Sequence, residues 1–362
     1  MTEMVFGHVA AARSSEPILT RWWRTVDRWT VGAVLGLIVI GLVVGMAASA
    51  PLAERLGLPP FYFVIRQAAF ALLGVGLMVA ISMQDVRTVR RLAVMGFVGA
   101  LLTCLALPVI GTDFGKGAIR WVSLGVLTVQ PSEFLKPAFV GCAAWVMAST
   151  FDRRGPPGKF LSFLLACACS AMLALQPDFG QAALLLATWG LMYFVAGASV
   201  PLMVGIAGGV AAVGAFAYEN SQHFARRIDG FLAAEVDPRT QIGYATNAIQ
   251  EGGFFGVGVG EGSVKNILPD AHTDFIIAVA AEEYGLLLCV LVIGLFLFIP
   301  IRALYRLTEE RDPFARLAGA GMAGLIGLQA FVNLGVAIRL LPAKGMTLPF
   351  VSYGGSSLLA AG

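Results

Sequence analysis

The chain has 362 residues, of which 58% are hydrophobic and only 13% charged, with a formal net charge of +3. Soluble domains carry about 25% charged residues, and charge is what covers a water-facing surface, so a water-soluble fold of this length is excluded. The five cysteines (Cys104, Cys142, Cys167, Cys169, Cys289) all lie in apolar runs, and His8, His223 and His272 show no metal-ligand spacing, so neither a disulfide framework nor a histidine metal site is expected.

The first 29 residues are polar and basic with no signal-peptide core, and they read as a cytoplasmic N-terminal segment. Beyond them, apolar runs recur at 30–50, 60–82, 91–110, 133–149, 160–176, 181–197, 200–217, 275–300, 315–340 and 348–362. A helix needs ~20 apolar residues to cross the hydrocarbon core. Lipid offers no partner to a free backbone amide, so each crossing must be a helix or part of a closed barrel. The runs are continuous rather than alternating, which selects helices. The expected fold is an all-α integral membrane protein of about ten transmembrane helices, with residues 1–362 forming one polytopic domain. The last run falls short of a full crossing.

Basic residues orient it. Arg13, Arg21, Arg24 and Arg28; Arg87, Arg90 and Arg91; Arg153, Arg154 and Lys159; and Arg302, Arg306, Arg311 and Arg316 occupy four segments that share one face if the N-terminus is cytoplasmic. The long loop at 218–273, between the seventh and eighth spans, is then periplasmic. It contains Phe, Tyr, Ile and several Gly, so it is expected to fold over the outer mouth of the bundle. Arg66, Lys136 and Arg339 lie at or inside apolar runs. Cations there line a cavity or bind a partner group, unless they snorkel to the head groups.

Several motifs carry candidate chemistry. Gly252 to Gly262 is glycine-rich, but no strand or βαβ unit surrounds it, so it reads as a turn for close backbone approach or a hinge. In Gln130-Pro131-Ser132-Glu133, Ser132 is a candidate N-cap and Glu133 is placed to pair with Lys136 three residues on. Gln176-Pro177-Asp178-Phe179-Gly180 is a tight outer turn, with Asp178 as a helix cap or a second acid. In His272-Thr273-Asp274-Phe275, either Thr273 or Asp274 is a candidate cap for the eighth span. Asp274 is also the acid best placed at a water-filled mouth. Glu282 and Glu283 follow further along that helix, Glu282 within ~80° of Asp274 by helical geometry. Acids at membrane depth usually have a partner or a function. Small residues from Gly354 to Ser357 suit close helix packing.

Five stretches taken together resemble the SEDS family (shape, elongation, division, sporulation). They are Gly117-Ala-Ile-Arg120-Trp121, Gln130-Pro-Ser-Glu133-Phe-Leu-Lys136, Gln176-Pro-Asp178-Phe-Gly180, His272-Thr-Asp274-Phe and Pro349-Phe-Val-Ser352-Tyr-Gly-Gly-Ser356-Ser. Lys344-Gly-Met-Thr347 and Gln181 are closer to the family's cell-division branch than to its elongation branch.

The resemblance implies a peptidoglycan glycosyltransferase, an inverting hexosyltransferase that joins lipid II units into β-1,4 glycan strands at the outer face of the bacterial inner membrane, at the division septum. It implies a class B penicillin-binding protein of the FtsI type as partner, alongside other membrane proteins of the division machinery, with no nucleic acid. It places the essential acid at Asp274. Arg66, Arg120, Trp121, Glu133, Lys136, Arg339, Lys344 and Ser352 become candidates for holding substrate and its pyrophosphate, with Asp178, His272 and Glu282 as further candidates. It requires no cofactor and leaves open a divalent cation such as Mg2+ that stimulates the reaction. The alternatives are a lipid II flippase, the elongation-type polymerase, and a non-catalytic scaffold. Flipping needs polar residues at every depth, whereas the inner halves of these spans are nearly free of charge, which favours polymerisation.

Overall fold

The computed structural model describes residues 17–113, 119–123, 125, 128–152, 154–233, 238, 240–342 and 345–362. A short amphipathic helix, α1 (Ile18–Thr25), leads into α2 (Arg28–Arg55), α3 (Tyr62–Ser82) and α4 (Val86–Ile110). A small hairpin of β1 (Val122–Ser123) and β2 (Thr128–Val129) precedes α5 (Pro131–Ala148), α6 (Gly158–Leu175), α7 (Phe179–Val195) and α8 (Val200–Asn220). Then come α9 (Gln222–Leu232), α10 (Gln241–Gly252), α11 (Ile276–Leu307), α12 (Pro313–Ala337) and the seven-residue α13 (Gly355–Ala361). Among the described residues, eight helices are long and apolar enough to cross a membrane, and α7 is a shorter apolar helix beside them.

The basic segments do share one end of the bundle. Asp27, just ahead of α2, accepts hydrogen bonds from Arg302 Nε at 2.5 Å and Nη2 at 2.8 Å near the end of α11. That hydrogen-bonded guanidinium holds the Asp27 carboxyl well below the usual carboxylate range. Arg90, near the start of α4, lies over the ring of Phe314 at the start of α12.

Two buried cores meet at α12. One gathers α2, α10, α11 and the stretch around Leu348–Val351, with Leu37, Val44, Ile276, Val292 and Val336 at its centre. The other gathers α4, α5, α6 and α7 around Leu135, Phe139, Leu173, Leu185 and Trp189. α8 touches the second core through Ile206, but none of its residues is buried and it packs chiefly on α9.

The structure revises several expectations. The 218–273 segment is helical for much of its length, through α9 and α10. The run at 348–362 starts as a turn and becomes helical only at Gly355. Gln130, not Ser132, is the N-cap of α5, because Pro131 takes the first helical position, where its missing N–H costs nothing.

The eighth span differs most. α11 is two helices joined at Gly285, and the stretch from Leu286 to Leu307 is by itself long enough, at ~33 Å, to cross a hydrocarbon core of ~30 Å. Residues Ile276 to Glu283 are buried without interruption, and the exposed apolar positions begin at Leu286 and Leu287 and continue through Val290, Leu291, Leu297 and Ile301. Lipid contact therefore starts below Glu282 and Glu283, whose side chains are enclosed by protein. At Gly285 the helix breaks, with φ 76° and ψ −173°. The glycine-rich segment closes this break. Gly253 and Phe254 carbonyls accept from Leu286 and Leu287 N–H, while Val257 and Gly258 N–H donate to the Glu282 and Glu283 carbonyls. A Cβ at Gly256 would stand 2.1 Å from the Glu283 carbonyl oxygen, so only glycine lets the two backbones come this close.

Candidate active site

The outer ends of both cores enclose a cavity of about 290 Å³. Arg66 and Phe70 reach it from α3, Arg120 and Trp121 from the hairpin approach, Thr128, Gln130 and Glu133 from β2 and the start of α5, and Asp270, His272, Thr273 and Asp274 from the turn before α11. Gly345, Thr347 and the stretch Tyr353–Ser357 close the remaining wall.

Asp274 is held by its backbone. Its N–H donates to the Asp270 carbonyl at 3.1 Å, in a turn where the Thr273 and Phe275 N–H groups converge on the same oxygen. Asp270 has φ 55°, which bends the chain to make this possible. The Asp274 carbonyl accepts from Asn333 Nδ2 at 2.9 Å, and the same nitrogen donates to Met346 O at 2.6 Å. α11 starts at Ile276 with Phe275 at the N-cap and no side-chain cap, so neither Thr273 nor Asp274 caps the helix. The Asp274 side chain lines the cavity. Because Asp274 precedes the helix, the face it was expected to share with Glu282 does not exist.

The wall opposite α5 is pinned by a second set of bonds. Ser352 Oγ donates to Thr273 O at 2.5 Å and accepts from Leu348 N–H at 2.8 Å. Tyr353 N–H donates to His272 O at 3.0 Å, and Phe63 stacks edge-on against Tyr353 at 5.4 Å. Gln67 Nε2 donates to Val351 O at 3.0 Å, tying α3 to the same wall. Arg120 lines the cavity while clamping the α6–α7 turn, through Nη2 to Pro177 O at 2.5 Å and Nε to Gln176 O at 3.3 Å. Burial pushes the Asp178 carboxyl in that turn above its usual range, against the pull of Arg120.

Beside the cavity lies a buried polar network. Lys136 Nζ donates to both Glu133 oxygens at 2.9 Å and to Gln329 Oε1 at 2.8 Å. Glu133 Oε1 also accepts from Gln181 Nε2 at 2.8 Å, and Gln329 Nε2 donates to Thr347 O at 2.9 Å. The pairing of Glu133 with Lys136 is as the sequence suggested, but an ammonium has three protons and all three are engaged here. Lys136 is 3% exposed and lines not the main cavity but a small crevice below it, with Pro137, Leu325, Ile326, Pro349 and Ala361.

Of the residues singled out from sequence, Asp274, Arg66, Arg120, Trp121, Glu133 and His272 come together around the cavity. Lys136, Ser352 and Asp178 support its walls from behind. Two do not join it. Arg339 donates to Ala233 O on the far side of the outer segment. Glu282 Oε1 accepts from the Ser263 and Val264 N–H groups at 2.6 and 2.8 Å, so it anchors the glycine-rich segment. Lys344 lies outside the described residues. Sequence reasoning missed Gln329 and Asn333, whose signal was two amide side chains four residues apart on one face of an otherwise apolar span. Among the described residues, no three His, Cys, Asp or Glu side chains are grouped to hold a metal ion.

A multi-pass helical protein with an acid and cations at an enclosed outer cavity is the class this geometry defines. The sequence profile of the FtsW/RodA/SpoVE family, described as cell cycle protein, matches residues 28–361. The chain belongs to that family. A relative from Caulobacter vibrioides, "Probable peptidoglycan glycosyltransferase FtsW", is 42% identical over 355 residues, covering 98% of this chain and 90% of its own length. One of the same name from Halorhodospira halophila is 37% identical, covering 94% and 89%. Among solved structures, one chain from "Structural coordination of polymerization and crosslinking by a peptidoglycan synthase complex" superposes with a TM-score of 0.77 at 29% identity, covering 93% of this chain and 94% of that one. The Thermus thermophilus rod shape determining protein RodA superposes with a TM-score of 0.68 at 28% identity, covering 94% of each.

Proposed function

We propose that the chain is a peptidoglycan glycosyltransferase that polymerises lipid II at the outer face of the inner membrane during septal wall synthesis, with Asp274 as the catalytic base. One observation carries this reading: the Asp274 side chain lines the same outer cavity as Arg66 and Arg120. The acceptor is a sugar hydroxyl, a weak nucleophile at neutral pH. Its donor is an α-linked glycosyl pyrophosphate and the product is β-linked, so a single displacement with inversion suffices. As the acceptor oxygen attacks the anomeric carbon, Asp274 takes the hydroxyl proton and the bond to the pyrophosphate oxygen breaks. Arg66 and Arg120 face the charge that develops on the leaving group. Lys136 acts on Glu133 rather than on pyrophosphate, since its donors are already used. A divalent cation such as Mg2+ that stimulates the reaction is tested by titration with chelator.

The crevice below Lys136 is small, about 30 Å³, and pairs Glu133, Lys136, Gln329 and Ser357 with the apolar Pro137, Leu325, Ile326, Pro349, Ala360 and Ala361. A transport reading requires polar lining to continue inward, whereas the crevice beyond Glu133, Lys136, Gln329 and Ser357 is lined by apolar residues. The proposed partner is a class B penicillin-binding protein, which crosslinks what this chain polymerises. Incubating purified protein with lipid II, with and without that partner, and resolving products on a gel tests the reading. A glycan ladder is expected; no ladder in either condition, with lipid II crossing vesicles instead, overturns it.

A further inference from the structure

We propose that the cytoplasmic ends of α4, α5 and α12 form a binding site for an anionic phospholipid of the inner leaflet. Arg87, Arg90 and Arg91 lie at spacings of three and four in the first turns of α4 and share one side of it. With Val94, Met95 and Trp145 they line an open recess of about 520 Å³ that no carboxylate borders. The Nε atom of Arg90 is buried with no hydrogen-bond partner among the described residues, while its guanidinium carbon sits 4.8 Å from the centre of the Phe314 ring. The nearest acids face a separate, smaller cavity of about 180 Å³ behind Arg90, and one of them, Asp312, is occupied in capping α12 through the Phe314 and Ala315 N–H groups. Asp85 caps α4 through the Thr88 N–H. Three cations stand at a helix N-terminus, where the dipole already makes the field positive, and the recess itself supplies no anion.

The surroundings select a lipid over a soluble anion. Below the arginines, Met95, Val98, Leu102 and Leu105 form an exposed apolar stripe running along α4 toward the opposite leaflet. Trp145, 42% exposed, stands beside the arginines at the level where indole rings favour the membrane interface. A phosphate group at the recess gains charge-assisted, two-pronged hydrogen bonds from guanidinium groups, and its acyl chains continue down the stripe. A free phosphate ion uses only the upper half of this surface.

The test is native mass spectrometry of the intact protein exchanged into micelles containing equal amounts of phosphatidylglycerol and phosphatidylcholine. The wild type is expected to retain phosphatidylglycerol preferentially. The triple variant Arg87→Lys/Arg90→Lys/Arg91→Lys keeps every positive charge, and so the orientation of the chain. It is expected to retain roughly tenfold less phosphatidylglycerol, because an ammonium cannot make the two-pronged contact. Inorganic phosphate added to the wild type should leave the lipid in place. Equal retention of the two lipids by the wild type, unchanged retention by the triple variant, or displacement by inorganic phosphate alone would each overturn the proposal.

Discussion

Asp274 and the pair Glu282–Glu283 stand on one short stretch of chain, yet the fold uses them in opposite ways. Asp274 is half-buried, fixed through its backbone, and presents its carboxyl to a cavity. Glu282 is 1% exposed and accepts two backbone N–H groups from the segment that covers it, while Glu283 pairs with Lys265 at 2.5 Å. An acid near a membrane boundary becomes structural when a neighbouring segment delivers donors to it, and stays available for chemistry when the backbone beside it does the holding. Glu133, paired with Lys136, belongs with the first kind although it borders the cavity.

The sharpest way to break this contrast is Asp274→Asn. The turn and its backbone bonds should survive, so the variant should accumulate normally and lose polymerisation by ~10³-fold or more, in the range expected for removing a general base. A glycan ladder at near wild-type intensity would move Asp274 into the structural class. Lys136→Met probes the opposite side. A Lys136 that only held pyrophosphate would give a variant that inserts at normal level and loses activity about 10-fold. With Glu133 left as a buried unpaired charge, the structure instead predicts a cost of ~3–5 kcal/mol in stability, visible as a lowered melting midpoint and low yield. Adding Glu133→Gln to it should recover most of the midpoint; a double variant as unstable as the single one contradicts the pairing.

Glu282→Ala should be next in size, since it orphans the Ser263 and Val264 N–H groups at ~1–3 kcal/mol apiece. Glu282→Gln retains an accepting oxygen and should melt near the wild type, with the polymerisation rate almost unchanged; a Gln variant that folds well but is inactive would give Glu282 a chemical role. The smallest effect is expected from Gly345→Ala. Its Cβ would lie 3.2 Å from Asp274 Oδ2, close enough to nudge the carboxyl. A few-fold loss of rate, below ~1.4 kcal/mol, with no change in melting, is the expected result in a lipid II assay.

The spans and their order were legible because apolar runs of helical length leave the backbone no alternative in lipid. The cavity's acids and cations were legible through short motifs. What the sequence concealed were relations between distant segments. Ser132 and Asp274 both look like caps locally, and each loses that role to its surroundings: Pro131 claims the first helical position, and the 270–275 turn directs its N–H groups onto Asp270 O. Lys136 reads as an anion site until Gln329, 193 residues away, takes its last proton. Glu282 reads as a membrane-depth acid until the burial of Ile276–Glu283 and the exposed apolar positions that begin at Leu286 place it above the lipid-facing stripe.

The break at Gly285 also constrains how the protein is made. Synthesis proceeds from the N-terminus, so residues 252–262 are made before α11. The carbonyls and N–H groups that complete α11 thus lie in the chain just ahead of it, and in the folded protein its two glutamates are enclosed by protein rather than by acyl chains. A nascent chain whose clasp cannot form, as with a bulky residue at Gly256, would present an unfinished helix to the bilayer, and membrane quality control would meet that fault before catalysis could register it.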